Sequence, residues 1–78
     1  MGTIKLLDSF ILKQGHYYWW RHTNYNLYNT ITTISFCKIS KILNGKVMIY
    51  DVFDNKEYEQ SLEVLDETST FKRWWKLK

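Results

Sequence analysis

Apolar positions along the chain fall mostly at strand spacing. From His16 to His22 the sequence His-Tyr-Tyr-Trp-Trp-Arg-His is nearly all aromatic, and Gly15 punctuates its start. Aromatic and β-branched residues suit a pleated surface, so this stretch reads as a strand. A period of two sets Tyr17, Trp19 and Arg21 on one face and His16, Tyr18, Trp20 and His22 on the other. An Asn-rich segment, residues 23–29, reads as a loop that displays Tyr25, Leu27 and Tyr28. The β-branched run 30–43 is a second strand, and Asn44-Gly45 is the strongest short hairpin signal. Residues 46–53 then form a third strand, Asp54-Asn55 a second turn and residues 56–65 a fourth strand.

The two ends read differently. Ile4, Leu7 and Ile11, flanked by Leu6 and Phe10, recur at helical spacing and Gly15 stands where a helix would stop. A short N-terminal amphipathic helix is expected, although Ile and Thr also permit an extended arm. At the tail, Asp66, Thr68 or Ser69 can cap a short helix running into residues 71–76. A single helical turn and a last barrel strand fit this tail equally well.

With two-residue loops at both turns, a register follows. One face collects Phe36, Lys38, Ser40, Ile42, Val47, Ile49, Asp51, Phe53, Tyr58, Gln60 and Leu62. The other collects Cys37, Ile39, Lys41, Met48, Tyr50 and Val52 with Glu57, Glu59, Ser61 and Glu63. Carboxylates must stay wet, so the first face is the core and the second is an apolar strip bordered by acids. The N-terminal helix is the expected cover for that strip. A one-residue change in the loop at Asp54 would swap the faces of the fourth strand.

The order of elements, an aromatic strand, a long loop, a tight meander and a short closing turn, favours a mainly β fold closed as a small antiparallel barrel. At 78 residues the chain is expected to be a single domain spanning residues 1–78, because so short a chain buries only about 60% of its unfolded surface. The one cysteine, Cys37, permits no internal disulfide, so a reducing, cytoplasmic setting is expected. The first ten residues show no basic segment leading into a long apolar run, and no membrane span is expected.

Few residues suggest chemistry. His16 and His22 share a strand face but stand about 20 Å apart at roughly 3.3 Å per residue, too far for one metal. Asp51 faces Lys38 in the expected register, Asp54 sits in a turn, and Cys37 packs as a small apolar residue. The three glycines, Gly2, Gly15 and Gly45, are isolated, so no phosphate loop exists. No enzyme activity, cofactor or metal site is expected.

Binding is the remaining class. The Gly-His-Tyr-Tyr-Trp-Trp-Arg approach at 15–21, the hairpin at 39–52 and the terminal Phe-Lys-Arg-Trp-Trp at 71–75 make the chain resemble a small SH3-like barrel of the Tudor or KOW kind, as in short phage-encoded proteins. That resemblance implies a non-catalytic protein-binding module, an inhibitor of a host or anti-phage defence protein in the anti-CRISPR-like manner. Matched positions for an aromatic cage are lacking, so recognition of modified lysine or arginine is not implied.

Four tryptophans and six tyrosines exceed what one small core hides, and aromatic residues with Arg dominate interface hot spots. The expected contact surface is Trp20, Tyr25, Tyr28, Arg73, Trp74 and Trp75. A rival surface, Met48, Tyr50, Glu57 and Glu59, would serve as a homodimer seam. Charge is uneven: Lys56 stands against Glu57, Glu59, Glu63, Asp66 and Glu67, while residues 68–78 carry only cations. Rings beside Arg21 and in the tail also suit single-stranded nucleic acid, the first alternative. Sequestration of a small nucleotide between subunits is the second alternative. A membrane-surface role for residues 71–78 ranks last, since eight residues anchor weakly.

Overall fold

A computed structural model describes residues 2–25 and 27–74. It is mainly β. Among the described residues seven strands run β1 (Thr3–Lys5), β2 (Ile11–Lys13), β3 (Tyr17–Tyr25), β4 (Thr30–Leu43), β5 (Lys46–Asp51), β6 (Lys56–Ser61) and β7 (Ser69–Arg73). One short helix, α1 (Leu62–Thr68), precedes β7. β1 and β2 pair with each other, and the other five form an antiparallel sheet in the order β6-β5-β4-β3-β7, open at both edges.

From His16 to Lys56 the strands follow the expected order, although β3 runs on through Thr23–Tyr25 into the expected loop and β5 ends at Asp51, two residues early. Gly45 turns the β4–β5 hairpin with φ at 75°, a conformation without steric cost for glycine. The β5–β6 turn has four residues instead of two, since Asp51 stands opposite Lys56. The Asp51 carboxylate stabilises it by accepting from the Phe53 amide at 2.9 Å and the Asp54 amide at 3.2 Å. Lengthening this loop by two residues preserves the parity of β6, so Tyr58 and Gln60 still share a face with Ile49 and Val47.

β4 carries the decisive departure. Ile42 pairs with Val47 and Lys41 with Met48, as expected, but then Ile39 faces Ile49 and Cys37 faces Asp51. Ser40 is the extra residue of a β-bulge. The bulge rotates Cys37 and Ile39 off the acid-bordered strip and into the core, where both are fully buried. On the side of β4 away from β5, where β3 has not yet begun, the Gln14 Oε1 accepts from the Ile42 amide at 2.9 Å.

Residues 3–13 form a hairpin, not the expected helix, so the cover assigned to the strip does not exist. Alternation buries Leu6 and Leu12, whereas Leu7, on the expected helical face, is 85% exposed. Asp8 and Ser9 turn the chain: Asp8 accepts from the Phe10 amide and Ser9 takes φ 73°. The one helix among the described residues lies later, and its first four residues, Leu62 to Leu65, stand where the end of the fourth strand was expected. Ser61 caps α1 by accepting from the Val64 amide at 3.3 Å, and Leu65 anchors it with no exposure. Residues 69–73 take the strand option and lie beside β3.

The core is one cluster built from Leu6, Leu12, Tyr18, Trp20, Cys37, Ile39, Ile42, Val47, Ile49, Leu65 and Phe71. Among the described residues no helix is long and apolar enough to cross a membrane.

Candidate interaction surface

Trp20 is in the core and not at the surface, which corrects the first contact residue expected from the sequence. It is 3% exposed, its indole N–H donates to the Ser69 hydroxyl at 2.9 Å, and its ring stacks parallel to Phe71 at 6.3 Å. β7 pairs with β3 and presents Phe71 directly opposite Trp20 on the same face, so the Tyr18/Trp20 side of β3 is the one that packs with Leu65 of α1 in the core. Period two then forces Tyr17, Trp19 and Arg21 outward.

These outward residues meet the outward residues of β4. Trp19 pairs with Phe36, and their rings lie 4.9 Å apart. Tyr17 stacks on Phe36 at 5.5 Å, and Phe53, 62% exposed, reaches Trp19 at 6.1 Å. The Trp19 indole N–H donates to the Trp74 carbonyl at 3.2 Å, joining Trp74 to the cluster. Lys38 lies over the Tyr17 ring at 5.8 Å, and Lys72, opposite Trp19 on β7, adds a second cation. A shallow depression of about 110 Å³ opens here between Trp19, Arg21, Ile34, Thr70 and Lys72. One aromatic wall, Trp19, and two cations, Arg21 and Lys72, suit a carboxylate-bearing or aromatic side chain.

The other expected contact residues scatter. Tyr25 and Tyr28 are exposed at the far end of the β3–β4 hairpin. Arg73 pairs with Tyr18 at the opposite end of β3 and lies 5.6 Å from the Phe10 ring. Seven residues of strand separate the two ends, roughly 23 Å at 3.3 Å per residue. Trp74 alone joins the aromatic cluster, and Trp75 lies outside the described residues. The rival set does come together: Met48 faces Glu59 and Tyr50 faces Glu57 on the same outer face. Met48 and Tyr50 are half-buried there, Tyr50 donates to Asn55, and Lys46 pairs with Glu59 at 3.2 Å. The outer face is therefore acidic along β6 and cationic toward β3 and β7.

Tyr17, Phe36 and Phe53 are the surface residues that the sequence reading passed over, whereas Trp19, Arg21 and Lys72 entered it only through the nucleic-acid alternative. Alternation contained the signal: once Trp20 is inside, Trp19 and its cross-strand neighbour must be outside.

On the opposite face a second cavity of about 220 Å³ lies between the sheet and α1, lined by Trp20, His22, Asn24, Tyr58, Gln60 and Val64 among others. His22 stacks on Trp20 with centroids 3.9 Å apart and lies 3.4 Å from the Ser35 hydroxyl. Desolvation lowers its pKa below the usual histidine value, against the pull of Asp51 and Asp54. Burial, with the Asp51 charge nearby, pushes the Cys37 thiol up to about 12, so it is no nucleophile. Among the described residues no group of three His, Cys, Asp or Glu side chains converges to hold a metal ion.

Comparison of the chain with known protein families, with curated proteins and with solved structures found no match to any of them.

Proposed function

We propose that the protein is a non-catalytic protein-binding module that grips its partner with the outer face of the sheet. The observation that carries this reading is the aromatic cluster of Trp19, Phe36, Tyr17 and Phe53, whose Trp19 also lines a neighbouring depression together with Arg21 and Lys72. Exposed rings with an adjacent Arg are the composition of interface hot spots, and an apolar patch left open by a folded chain is a docking signal. The partner expected is one that offers a carboxylate or aromatic anchor to the cationic side of the face. The strand order β6-β5-β4-β3-β7, with α1 ahead of a last strand that returns beside the first of the meander, supports an SH3-like relationship. An inhibitor of a host or defence protein is the form this reading takes under that resemblance.

Affinity capture from the host, quantified by mass spectrometry, tests it. A partner retained by the wild type and lost by both Trp19→Ala and Arg21→Glu, with circular dichroism unchanged, is the expected result. Retention by both variants would refute the assignment of the face.

The cations beside the rings also favour a second reading, a single-stranded nucleic acid stacked on Trp19 and Phe36. It predicts binding to random oligonucleotides that weakens steeply with salt and is lost in Lys72→Glu. No binding at low salt removes it.

A further inference from the structure

Strand β4 outruns its neighbour. Its ladder with β3 extends to Thr30, but its ladder with β5 begins only at Cys37. Residues 30–35 therefore have a strand on one side and, among the described residues, none on the other. The direction of the backbone groups follows from the bonds further along. The Val52 amide donates to the Phe36 carbonyl at 2.8 Å on the β5 side, whereas Ile39 bonds to Gly15 and His16 on the β3 side. Alternation then points the N–H and C=O of Thr30, Thr32 and Ile34 toward the open side.

Such an edge is a template for another strand, and proteins usually block it with charge, proline or a bulge. This one is unblocked. From Thr23 to Cys37 the sequence contains no Asp, Glu, Lys, Arg or Pro, and the bulge lies beyond, at Ser40. The segment Thr-Ile-Thr-Thr-Ile-Ser is rich in β-branched residues, and Ile31 and Ile34 are each about half exposed on opposite faces of the ribbon.

We propose that this edge pairs antiparallel with the same edge of a second copy of the chain, about a two-fold axis through Thr32. The register follows from the geometry. A two-fold that keeps core face with core face must pass through a residue pair, so paired positions sum to an even number. Centring on Thr32 sets Thr32 opposite Thr32 of the second copy and Thr30 opposite its Ile34. All three outward residues are then satisfied, with roughly six backbone bonds, two per hydrogen-bonded pair. Centring on Thr33 would set Thr30 opposite Phe36, whose carbonyl already takes the Val52 amide.

Self-pairing also fits the charge. A chain of net charge +3 meets its copy along the one long segment that carries no charged side chain. The Ile34 side chain gains Thr30 as a cross-strand neighbour, and Ile31 gains Thr33. Two open five-stranded sheets become one continuous sheet, and the aromatic outer face of each copy stays accessible.

Sedimentation or light scattering across a concentration series reads the outcome, with the full chain. The wild type is expected to move from the 9.5 kDa chain mass to twice that value as concentration rises. Two single variants, each checked by circular dichroism, should stay at chain mass. Thr32→Pro removes an outward N–H, which an edge strand tolerates, together with the exposed Thr23–Thr32 hydroxyl bond, and Thr32→Lys sets like charges directly opposite. Mixing Thr32→Lys with Thr32→Glu should restore the doubled mass, because the two charges then face each other. A wild type that remains at chain mass at every concentration overturns the proposal. So do a dimer that survives Thr32→Lys, one that is lost instead in Met48→Lys, a mixture that fails to re-pair, and open-ended growth beyond the dimer.

Discussion

Replacing each of the adjacent indoles Trp19 and Trp20 by alanine separates the two faces of β3. Trp20 is 3% exposed and contacts Phe71, Tyr58 and His22, with centroids at 6.3, 6.3 and 3.9 Å. Its truncation leaves a cavity between the sheet and α1, and a Trp→Ala change of this kind costs about 3–5 kcal/mol. At about 0.05–0.15 kcal/mol per residue, a chain of this length holds only about 4–12 kcal/mol in total. Trp20→Ala therefore removes a large share of the stability. Trp19 lies half-buried on the outer face, where its loss opens no cavity, and its partial transfer is worth about 1 kcal/mol. Trp20→Phe is intermediate, about 1–2 kcal/mol, since it keeps a ring against Phe71 but drops the bond to Ser69, whose hydroxyl retains Thr68 at 3.2 Å. Urea unfolding followed by circular dichroism reads these differences, and with m of about 1–3 kcal/mol/M the Trp20→Ala midpoint falls by at least about 1 M. Equal midpoints for the two alanine variants, or a Trp20→Ala cost below about 1.5 kcal/mol, would refute the assignment of faces.

Further outcomes are expected elsewhere in the molecule. Because desolvation depresses the His22 pKa in the fold, the unfolded chain takes up the proton first, so this residue's contribution is intact above pH 6.5 and declines as pH falls below it. The melting temperature of His22→Gln should therefore fall less between pH 7 and pH 5 than that of the wild type, and identical slopes would contradict this. With the Cys37 thiol up at about 12, the native protein should react with a disulfide reagent at pH 8 about 10³-fold more slowly than the unfolded chain; comparable rates would show that Cys37 is accessible. Asp51→Ala leaves the Phe53 and Asp54 amides without their acceptor and should cost about 1–3 kcal/mol in the same urea assay, with a loss below about 0.5 kcal/mol counting against its role in the turn.

Where local chemistry decides, the strands and turns were legible. Asn44-Gly45, the aromatic run after Gly15 and the β-branched run from Thr30 lie where their composition placed them. The site was less so. Three of the six candidate contact residues, Trp20, Trp74 and Trp75, belong to adjacent pairs, and a period of two is symmetric: it says that the members of a pair part company without saying which goes inside. The sequence expectation sets Trp20 at the surface, whereas the packing of Phe71 and Leu65 places it in the core. Residues 3–13 failed for a related reason. Ile4, Leu7 and Ile11 there keep helical spacing while Ile4, Leu6, Phe10 and Leu12 keep alternating spacing, and the turn at Asp8-Ser9, with the burial of Leu6 and Leu12, resolves the ambiguity.

By itself, then, the sequence determined a mainly β chain, its central hairpin, the parity of β6 and an excess of aromatic side chains over what a small core can hold. These depend on residues near one another, through backbone preference and alternation. Only the tertiary structure decided that Ser40 is a bulge, that Cys37 and Ile39 are core, that α1 starts at Leu62 and that Trp19 faces out. Each of those is set by a neighbour distant in the chain: Gln14 at the bulge, Phe71 against Trp20, Asp66 accepting from the Leu7 amide at 2.9 Å to tie the first hairpin to α1. Burial is a property of what arrives on the other side, and that arrival leaves no mark on the local pattern.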